Sequence, residues 1–465
     1  MPETPIRAGR PARGEELELT VDALAYGGAG IARRDGYVVF IAGAIPGDRV
    51  RAQVGKAKRA FAEARMVELL EPSPERVAAR AAHPGASWQV IPYERQVAEK
   101  ESQVREALRR IGGFEDPPVE AMVAAESRWR YRNKLEYSFG GAAGAELALG
   151  FHRPGRWNEI EDVADDVLAS ERIDSLRLRI RAWCRAEGLS AYDRASGDGF
   201  LRNLVVREGR RTGQLQARLV TSPGEFRSQA FAEAIECDSL LWTRAAGVGE
   251  TTRDGDTELL GGGETIEEEL AGLSFRISPT AFFQTNTEMA ERLYTAAGEL
   301  AGLRGGERLF DLFSGIGTIG LVMSLRAREV WGIEAVEPAV ADAIENARLN
   351  AIDNARFFAG DVRTALRPLV EEAGRPDVVV VDPPRAGLSQ KVVRRVLEAE
   401  PSKIVYVSCN PTTLAPNARQ MADAGYRLST VRPVDMFPQT PHIECVALLE
   451  RGSSGALGSR STDLG

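Results

Sequence analysis

The chain has 465 residues, 59 Lys and Arg against 67 Asp and Glu, 43% hydrophobic residues and four cysteines. That length suits about three domains with real cores, and the net charge of −8 confines any nucleic-acid site to a local patch. Cys184, Cys237, Cys409 and Cys445 are scattered without a CxxC and no apolar run approaches the ~18 residues of a bilayer span, so disulfide-stapled, zinc-ribbon, secreted and membrane classes are excluded and a cytoplasmic protein is expected.

Residues 1–14 and 452–465 are unpatterned and are expected to be disordered tails. Over 15–72 the strand-like runs Glu16–Ala23, Tyr37–Ile41, Arg49–Val54 and Glu63–Leu70 are separated by turns at Gly27–Gly30, Asp35–Gly36 and Pro46–Gly47. Short strands at that spacing predict a small β-barrel. A central α+β domain is expected over 73–275. Within it the stripe Tyr93, Val97, Val104, Leu108 and Ile111 predicts a helix over 92–111, expected to pack on the C-terminal domain. Leu201–Arg207 and Gln214–Val220 read as strands. From 276 to 451 the character changes. Apolar strands (Arg308–Leu312, Glu329–Ile333, Val378–Val381, Lys403–Val407) alternate with helical stretches (Thr318–Leu325, Pro338–Asn350, Gln390–Ala399, Thr413–Ala424). That alternation predicts a doubly wound, mostly parallel α/β sheet.

The first of those strands runs into Phe313-Ser314-Gly315-Ile316-Gly317-Thr318-Ile319-Gly320. Glycines there let backbone approach a ligand, and the helix start offers free N–H groups. Glu334 ends the next strand, where a carboxylate accepts from a ribose diol. Alone, this pattern fits a nicotinamide dinucleotide as well. Asp361 and Asp382 end the third and fourth strands, so that Asp311, Glu334, Asp361 and Asp382 all lie at C-terminal strand ends, the ligand-binding edge of such sheets.

Ser408-Cys409-Asn410-Pro411 puts a thiol where a buried strand meets a helix start, with Asn410 as N-cap and Pro411 in the first turn. Helix N–H dipoles are expected to draw its pKa below the usual ~8.5. Near the end, His442-Ile443-Glu444-Cys445 leads into a final strand. A period of two puts Glu444 with His442 and Val446 on one face and Cys445 with Ile443 on the other. Burial of Glu444 is expected to raise its pKa towards the range of a base. Cys445 reads as core packing, and His442 either as structural or as orienting the site.

Together with Phe282-Phe283-Gln284, Ala359-Gly360-Asp361 and Asp382-Pro383-Pro384-Arg385, these motifs come in the order seen in RNA 5-methyluridine methyltransferases. The chain resembles that family over roughly residues 15–450, and the N-terminal barrel resembles the TRAM RNA-binding domain. The resemblance implies a class I methyltransferase fold, S-adenosylmethionine as cofactor and RNA as substrate. Cys409 is then the nucleophile that adds to uracil carbon 6, and Glu444 the base that removes the carbon-5 proton. Gln284, Phe313, Thr318, Glu334, Asp361 and Asp382 line the cofactor site by the same resemblance. Many relatives hold an iron–sulfur cluster on four cysteines, three of them in a C-x5-C-G-G-C run. Here that run corresponds to Ala81–Trp88 and the fourth position to Asp166, none of them cysteine, so no cluster and no metal are expected.

RNA is expected to follow two basic runs. Residues 128–156 carry six Lys and Arg against Glu136 and Glu146, and residues 49–65 carry six against Glu63. Arg128-Trp129-Arg130-Tyr131-Arg132-Asn133-Lys134 alternates so that a strand would place its cations on one face. Arg130, Arg132 and Lys134 are the expected phosphate contacts. The target uridine is expected to flip out of its RNA into the cleft holding Cys409. A monomer acting on ribosomal RNA, in preference to transfer RNA, is the reading adopted. An RNA amino-nitrogen methyltransferase is the nearer alternative and an NAD-dependent dehydrogenase the farther. Neither of them needs Cys409 together with Glu444.

Overall fold

Alternating burial along its first strands closes the N-terminal segment into a barrel. In the computed structural model, which describes residues 10–141, 146–153, 156–247, 252 and 255–452, the barrel comprises β1 (Glu16–Leu24), β2 (Gly30–Arg34), β3 (Tyr37–Ala42), β4 (Arg49–Ala57) and β5 (Phe61–Glu71), closed in the order β1-β2-β3-β5-β4. Residues 1–9 and 453–465 of the expected disordered tails lie outside the described residues. Leu17, Leu19 and Val21 meet Val39, Ile41, Val50, Ala52 and Val54 inside the barrel. β2 was not expected: it starts at the last residue of the turn read over Gly27–Gly30 and runs through residues 31–34, which were left unassigned. Only Gly27 and Gly28 turn with positive φ (89° and 93°), and the chain from Gly30 pairs with both β1 and β3.

After a linker, α1 (Tyr93–Arg110) buries Tyr93, Val104 and Leu108, and on the same face Gln96 and Lys100. The central sheet is built from β6 (Lys134–Gly140), β7 (Ala148–Arg153), β8 (Arg156–Asp162), β9 (Leu201–Glu208), β10 (Leu215–Thr221), β11 (Ser239–Arg244) and β12 (Asp256–Gly262). Their order is β12-β11-β10-β9-β6-β7-β8. α2 (Glu171–Ala186) and α3 (Ser228–Ala234) cover it, with Leu135, Tyr137, Ile173, Ile180, Val206 and Phe231 in its core.

The basic run before β6 is not the strand expected. Only Lys134 belongs to β6, and Arg130 has a φ of 52°. The amides of Arg130 and Arg132 donate to Val167 O and Leu168 O, and that of Asn133 to Thr285 O. The segment is thus a connector stitched to two neighbours, and its cations do not share one face.

A hairpin, β13 (Ile266–Leu270) and β14 (Leu273–Ile277), leads into the C-terminal unit. There α4 (Thr287–Ala301), β15 (Arg308–Leu312), α5 (Thr318–Ser324), β16 (Glu329–Glu334), α6 (Glu337–Leu349), β17 (Ala355–Ala359), α7 (Val362–Ala373), β18 (Val378–Val381), α8 (Gln390–Glu398), β19 (Lys403–Ser408) and α9 (Pro411–Asp423) alternate, followed by β20 (Tyr426–Val434) and β21 (Glu444–Arg451). The sheet order is β17-β16-β15-β18-β19-β21-β20. The first five strands are parallel, and β21 is antiparallel to both β19 and β20.

Successive residues serve opposite faces, as doubly wound packing requires. Val378, Val380, Val405, Val446 and Leu448 pack under α4, α5 and α6. Val379, Val381, Ile404, Tyr406, Cys445 and Ala447 pack under α7, α8 and α9, joined there by Val104 and Leu108 of α1. No helix among the described residues is long and apolar enough to cross a membrane.

Candidate active site

The glycine turn is held open by its own neighbours. Phe313 N and Ser314 N donate to Ile333 O at 2.9 and 3.1 Å, tying the end of β15 to that of β16. Glu334 is pinned there, accepting from Gly315 N at 3.1 Å and Val336 N at 2.9 Å. Gly317 starts α5 with φ 85°, and a Cβ there would lie 3.0 Å from the Phe357 ring and 3.1 Å from Ala343. The backbone therefore runs where no side chain fits. Thr318 Oγ1 lies 3.2 Å from the buried Tyr294 hydroxyl. Gln284 is buried, and its carbonyl accepts from Asn133 Nδ2 at 3.0 Å.

Two carboxylates sit beneath this turn. Asp311 accepts from Gly320 N at 2.8 Å through Oδ2, while its Oδ1, like Ser314 Oγ, is buried without a partner. Burial raises Asp311 to about 7, with the charge of Glu334 adding. Asp382, just past β18, is also raised to about 7, by burial and then by Asp311. Unsatisfied polar atoms and paired acids beside exposed helix-start amides suit a ligand that carries hydroxyls and positive charge. They fit S-adenosylmethionine, with its ribose, ammonium and sulfonium groups. Asp361 stands apart: it caps α7 through Arg363 N at 2.8 Å and holds Arg363 Nε at 2.9 Å.

The thiol and the carboxylate meet on adjacent strands. β19 and β21 pair up to Ser408 and Cys445, so Cys409 follows directly on the last paired residue of β19 and Glu444 directly precedes that of β21, and the charge of Glu444 acts on Cys409. Glu444 is buried, and burial plus Asp382 push its pKa well above the usual range, against Arg385. Cys409 is half-buried. Its pKa is not lowered as expected but pushed up to about 11, by burial and by the charges of Glu444 and Asp382, with Arg385 opposing. The helix-start amides do not outweigh these effects. Asn410, the N-cap, already accepts from Thr412 N at 3.0 Å.

Cys445 packs in the core, as read, with Sγ 3.7 Å from Ser408 O. His442 lies edge-on to Phe437 at 5.9 Å, and its pKa falls to about 4 through desolvation and the cations Arg132, Arg385 and Lys100.

Two residues at this site carried no role in the sequence reading. Arg385 had a signal, since it follows the Asp-Pro-Pro motif directly. Its carbonyl accepts from Asn410 Nδ2 at 3.1 Å and Thr413 Oγ1 at 3.4 Å, and its charge favours the ionised forms of Cys409 and Glu444. Tyr26 had none. It reaches the site from the β1–β2 turn of the barrel and packs on the core of the α7–α9 face.

The segment leading to Glu444 is clasped by α1. Lys100 Nζ donates to Asp435 Oδ1 at 2.6 Å and to Phe437 O at 3.0 Å, with both ion-pair side chains fully buried. Gln96 donates to Gln439 Oε1 at 2.8 Å and accepts from Gln439 N at 2.9 Å.

Ala81–Trp88 lies against Asp166. His83 Nε2 sits 2.8 Å from Asp166 Oδ1, and Tyr137 donates to Oδ2 at 2.8 Å. Among the described residues no group of three or more His, Cys, Asp or Glu is arranged to hold a metal.

Of the cations, Arg128 pairs with Glu94, Arg130 with Asp165 and Lys134 with Glu136, at 2.9, 2.6 and 2.7 Å. Arg132 lies over the Phe437 ring at 5.8 Å. On the barrel, Arg49 and Arg51 are paired with Glu18, Glu68 and Glu71 from neighbouring strands, whereas Lys56 and Arg59 are exposed with no acidic partner among the described residues.

The family model described as tRNA (Uracil-5-)-methyltransferase matches residues 263–452, and that of the TRAM domain matches residues 11–67. The chain is 39% identical to an uncharacterized RNA methyltransferase of Porphyromonas gingivalis, over 94% of this chain and 100% of that one. It is 38% identical to another from Bacteroides thetaiotaomicron, over 91% and 99%. The crystal structure of Pyrococcus abyssi tRNA (uracil-54, C5)-methyltransferase in complex with S-adenosyl-L-homocysteine superposes with a TM-score of 0.75 at 29% identity, covering 93% of this chain and 100% of that one. The chain therefore belongs to the TRAM-containing RNA (uracil-5-)-methyltransferases, S-adenosylmethionine-dependent transferases with a class I methyltransferase fold.

Proposed function

We propose that the protein methylates carbon 5 of a uridine in structured RNA, with Cys409 as nucleophile and Glu444 as base. The observation that supports this is the pairing of β19 with β21 up to Ser408 and Cys445, the residues adjoining Cys409 and Glu444, with Asp382 acting on both groups. Cys409 gives its proton to solvent, its thiolate bonds to uracil carbon 6, and the ring becomes an enolate nucleophilic at carbon 5. S-adenosylmethionine, when bound, supplies the methyl group from its sulfonium sulfur. Glu444 then takes the carbon-5 proton and passes it to solvent while the C6–S bond breaks and returns the thiolate. Burial disfavours the ionised forms of both groups, and the Arg385 guanidinium favours them.

In this reading Gln284, Phe313, Thr318, Glu334 and Asp382 surround the cofactor, and Asp361 lies farther along the same edge. Arg132, Lys56 and Arg59 face RNA phosphates, while Arg130 and Lys134 serve their own carboxylates. The enzyme acts as a monomer in the cytoplasm. The sequence reading favours large-subunit ribosomal RNA. A transfer-RNA substrate is the second reading, because the Pyrococcus abyssi tRNA enzyme shares nearly the whole length of this chain, so barrel and central sheet do not single out ribosomal RNA.

The test is mass-spectrometric mapping of 5-methyluridine in both RNAs from a deletion strain, with Cys409→Ala and Glu444→Gln assayed beside wild type. Cys409→Ala is expected to lose all turnover, and Glu444→Gln to accumulate a covalent protein–RNA adduct. Normal methylation by Cys409→Ala refutes the mechanism.

A further inference from the structure

Connections between hairpin strands ordinarily run over the surface, where water satisfies their backbone. The one between β20 and β21, residues 435–443, does not: Asp435, Met436, Pro438, Gln439 and Thr440 are all buried. Its carbonyls are satisfied from elsewhere in the fold, one residue at a time. Met436 O accepts at 2.9 Å from Asn286 Nδ2 at the start of α4, and Phe437 O at 3.0 Å from Lys100 Nζ of α1. Pro438 O accepts at 3.0 Å from the Tyr131 hydroxyl in the connector before β6, and Gln439 O at 2.9 Å from Trp88 N. Four successive residues are thus fixed by four separate segments. Within this frame Gln439 has a φ of 67°, a left-handed conformation that a residue other than glycine adopts at a cost. Gln96 holds it there, accepting from Gln439 N at 2.9 Å and donating from Nε2 to Gln439 Oε1 at 2.8 Å. Thr440 carries the order forward. Its Oγ1 donates to Phe437 O at 2.8 Å and accepts at 3.2 Å from His442 N, two residues before Glu444.

We infer that this clasped connection is a positioning device for proton removal, in which Gln96 and Tyr131 are positioning residues that act through the backbone leading into Glu444. This rests on the reading of Glu444 as the base and deepens it. A non-glycine residue held at positive φ by hydrogen bonds from distant segments is a conformation that the surrounding structure keeps against local preference. Glu444 is buried at the first position of β21, so its carboxylate stands where the connection delivers the strand. A base has to lie within hydrogen-bond reach of the proton it takes, and a small displacement lowers the rate steeply. In the step concerned the carbon-5 proton passes to Glu444 while the electrons of the C6–S bond return to sulfur. Adduct formation and methyl transfer precede it. An error in the placement of Glu444 therefore falls on breakdown of the covalent adduct and spares its formation.

The experiment uses the full-length protein and total RNA from a deletion strain. It reads kcat, KM and the fraction of protein held as covalent RNA adduct at steady state on denaturing gels. Gln96→Met removes the amide at similar volume. It is expected to lower kcat about tenfold, the scale of one buried hydrogen bond left unmade, with KM unchanged and the adduct fraction raised above wild type. Tyr131→Phe keeps the buried ring, loses only the hydroxyl and should shift both quantities in the same direction. Gln439→Ala and Gln439→Gly lose the same side-chain amide and differ in their tolerance of a positive φ, so the glycine variant should keep the higher kcat and the lower adduct fraction. Calorimetry with S-adenosylhomocysteine checks the cofactor site, and its affinity should match wild type throughout. Wild-type kcat in both Gln96→Met and Tyr131→Phe overturns the inference. A fall in kcat without extra adduct, or with weakened S-adenosylhomocysteine binding, makes the contacts structural only and overturns it too, as does equal behaviour of the two Gln439 variants. If wild type forms no 5-methyluridine, or Cys409→Ala still forms it, the functional reading itself fails. Methylation by wild type with no gain of adduct in the variants sinks the positioning role alone.

Discussion

Removing one carboxylate from the buried cluster beneath β6 has a calculable cost. Asp166 is fully buried, and burial alone would raise its pKa, but the hydrogen bond and charge of His83, the Tyr137 hydroxyl and the Ala169 amide outweigh that and bring it from 3.8 to about 2. A carboxylate shifted down by nearly two units stabilises the folded state by about 2 to 3 kcal/mol at pH 7. Because the folded pKa is the lower one, that stability is present above the unfolded value of 3.8 and is lost as pH falls from about 4 to 2. Asp166→Asn keeps the shape, removes the charge and is expected to lose about 2 to 3 kcal/mol at pH 7. Urea titrations at pH 7, 5 and 3 measure it. The gap between wild type and variant should hold from pH 7 to 5 and shrink by pH 3. Equal stability at pH 7, or a gap that ignores pH, refutes the account of the His83–Asp166–Tyr137 network as an electrostatic clamp on the Ala81–Trp88 loop.

Lys100→Met is expected to destabilise the protein by about 3 kcal/mol, because it strands Asp435 in the interior. Lys100→Met/Asp435→Asn should recover part of that in thermal melts, and a melt of the double variant no better than the single one counts against the clasp. Asp311 and Asp382 at about 7 form a coupled pair. They gain negative charge between pH 6 and 8, so calorimetry should show S-adenosylhomocysteine, through its ammonium group, binding more tightly at pH 8 than at pH 6. Asp382→Asn should flatten that dependence, and a flat wild-type profile would contradict the assignment.

The parallel strands were legible because buried strands such as Val378–Val381 are continuous apolar runs; their order in the sheet was not. The site was legible because Cys409 and Glu444 abut strands that announce themselves. β2 was not, since its five residues follow directly on a glycine turn, and β20 escaped because Pro433 and polar residues interrupt its pattern. Alternation in Arg128–Lys134 suggested a strand, but its amides bond to segments that lie distant in sequence. The charge of residues 49–65 shrank in space because Glu18, Glu68 and Glu71 lie across the barrel strands from Arg49 and Arg51. The direction of the Cys409 shift was missed for a similar reason. Its helix start is local and readable, whereas the carboxylates that oppose it arrive from β18 and β21.

The strand carrying Glu444 is the last among the described residues, yet it sits between β19 and β20 in the sheet. A polypeptide still on the ribosome presents the glycine turn and Cys409 well before β21 can thread into its slot. Until that insertion one edge of β19 is unpaired and Cys409 lacks the Glu444 carboxylate near it. The sheet edge at β19 is therefore sealed by a strand that comes after it and after β20 in sequence, and Glu444 takes its place only as that strand pairs.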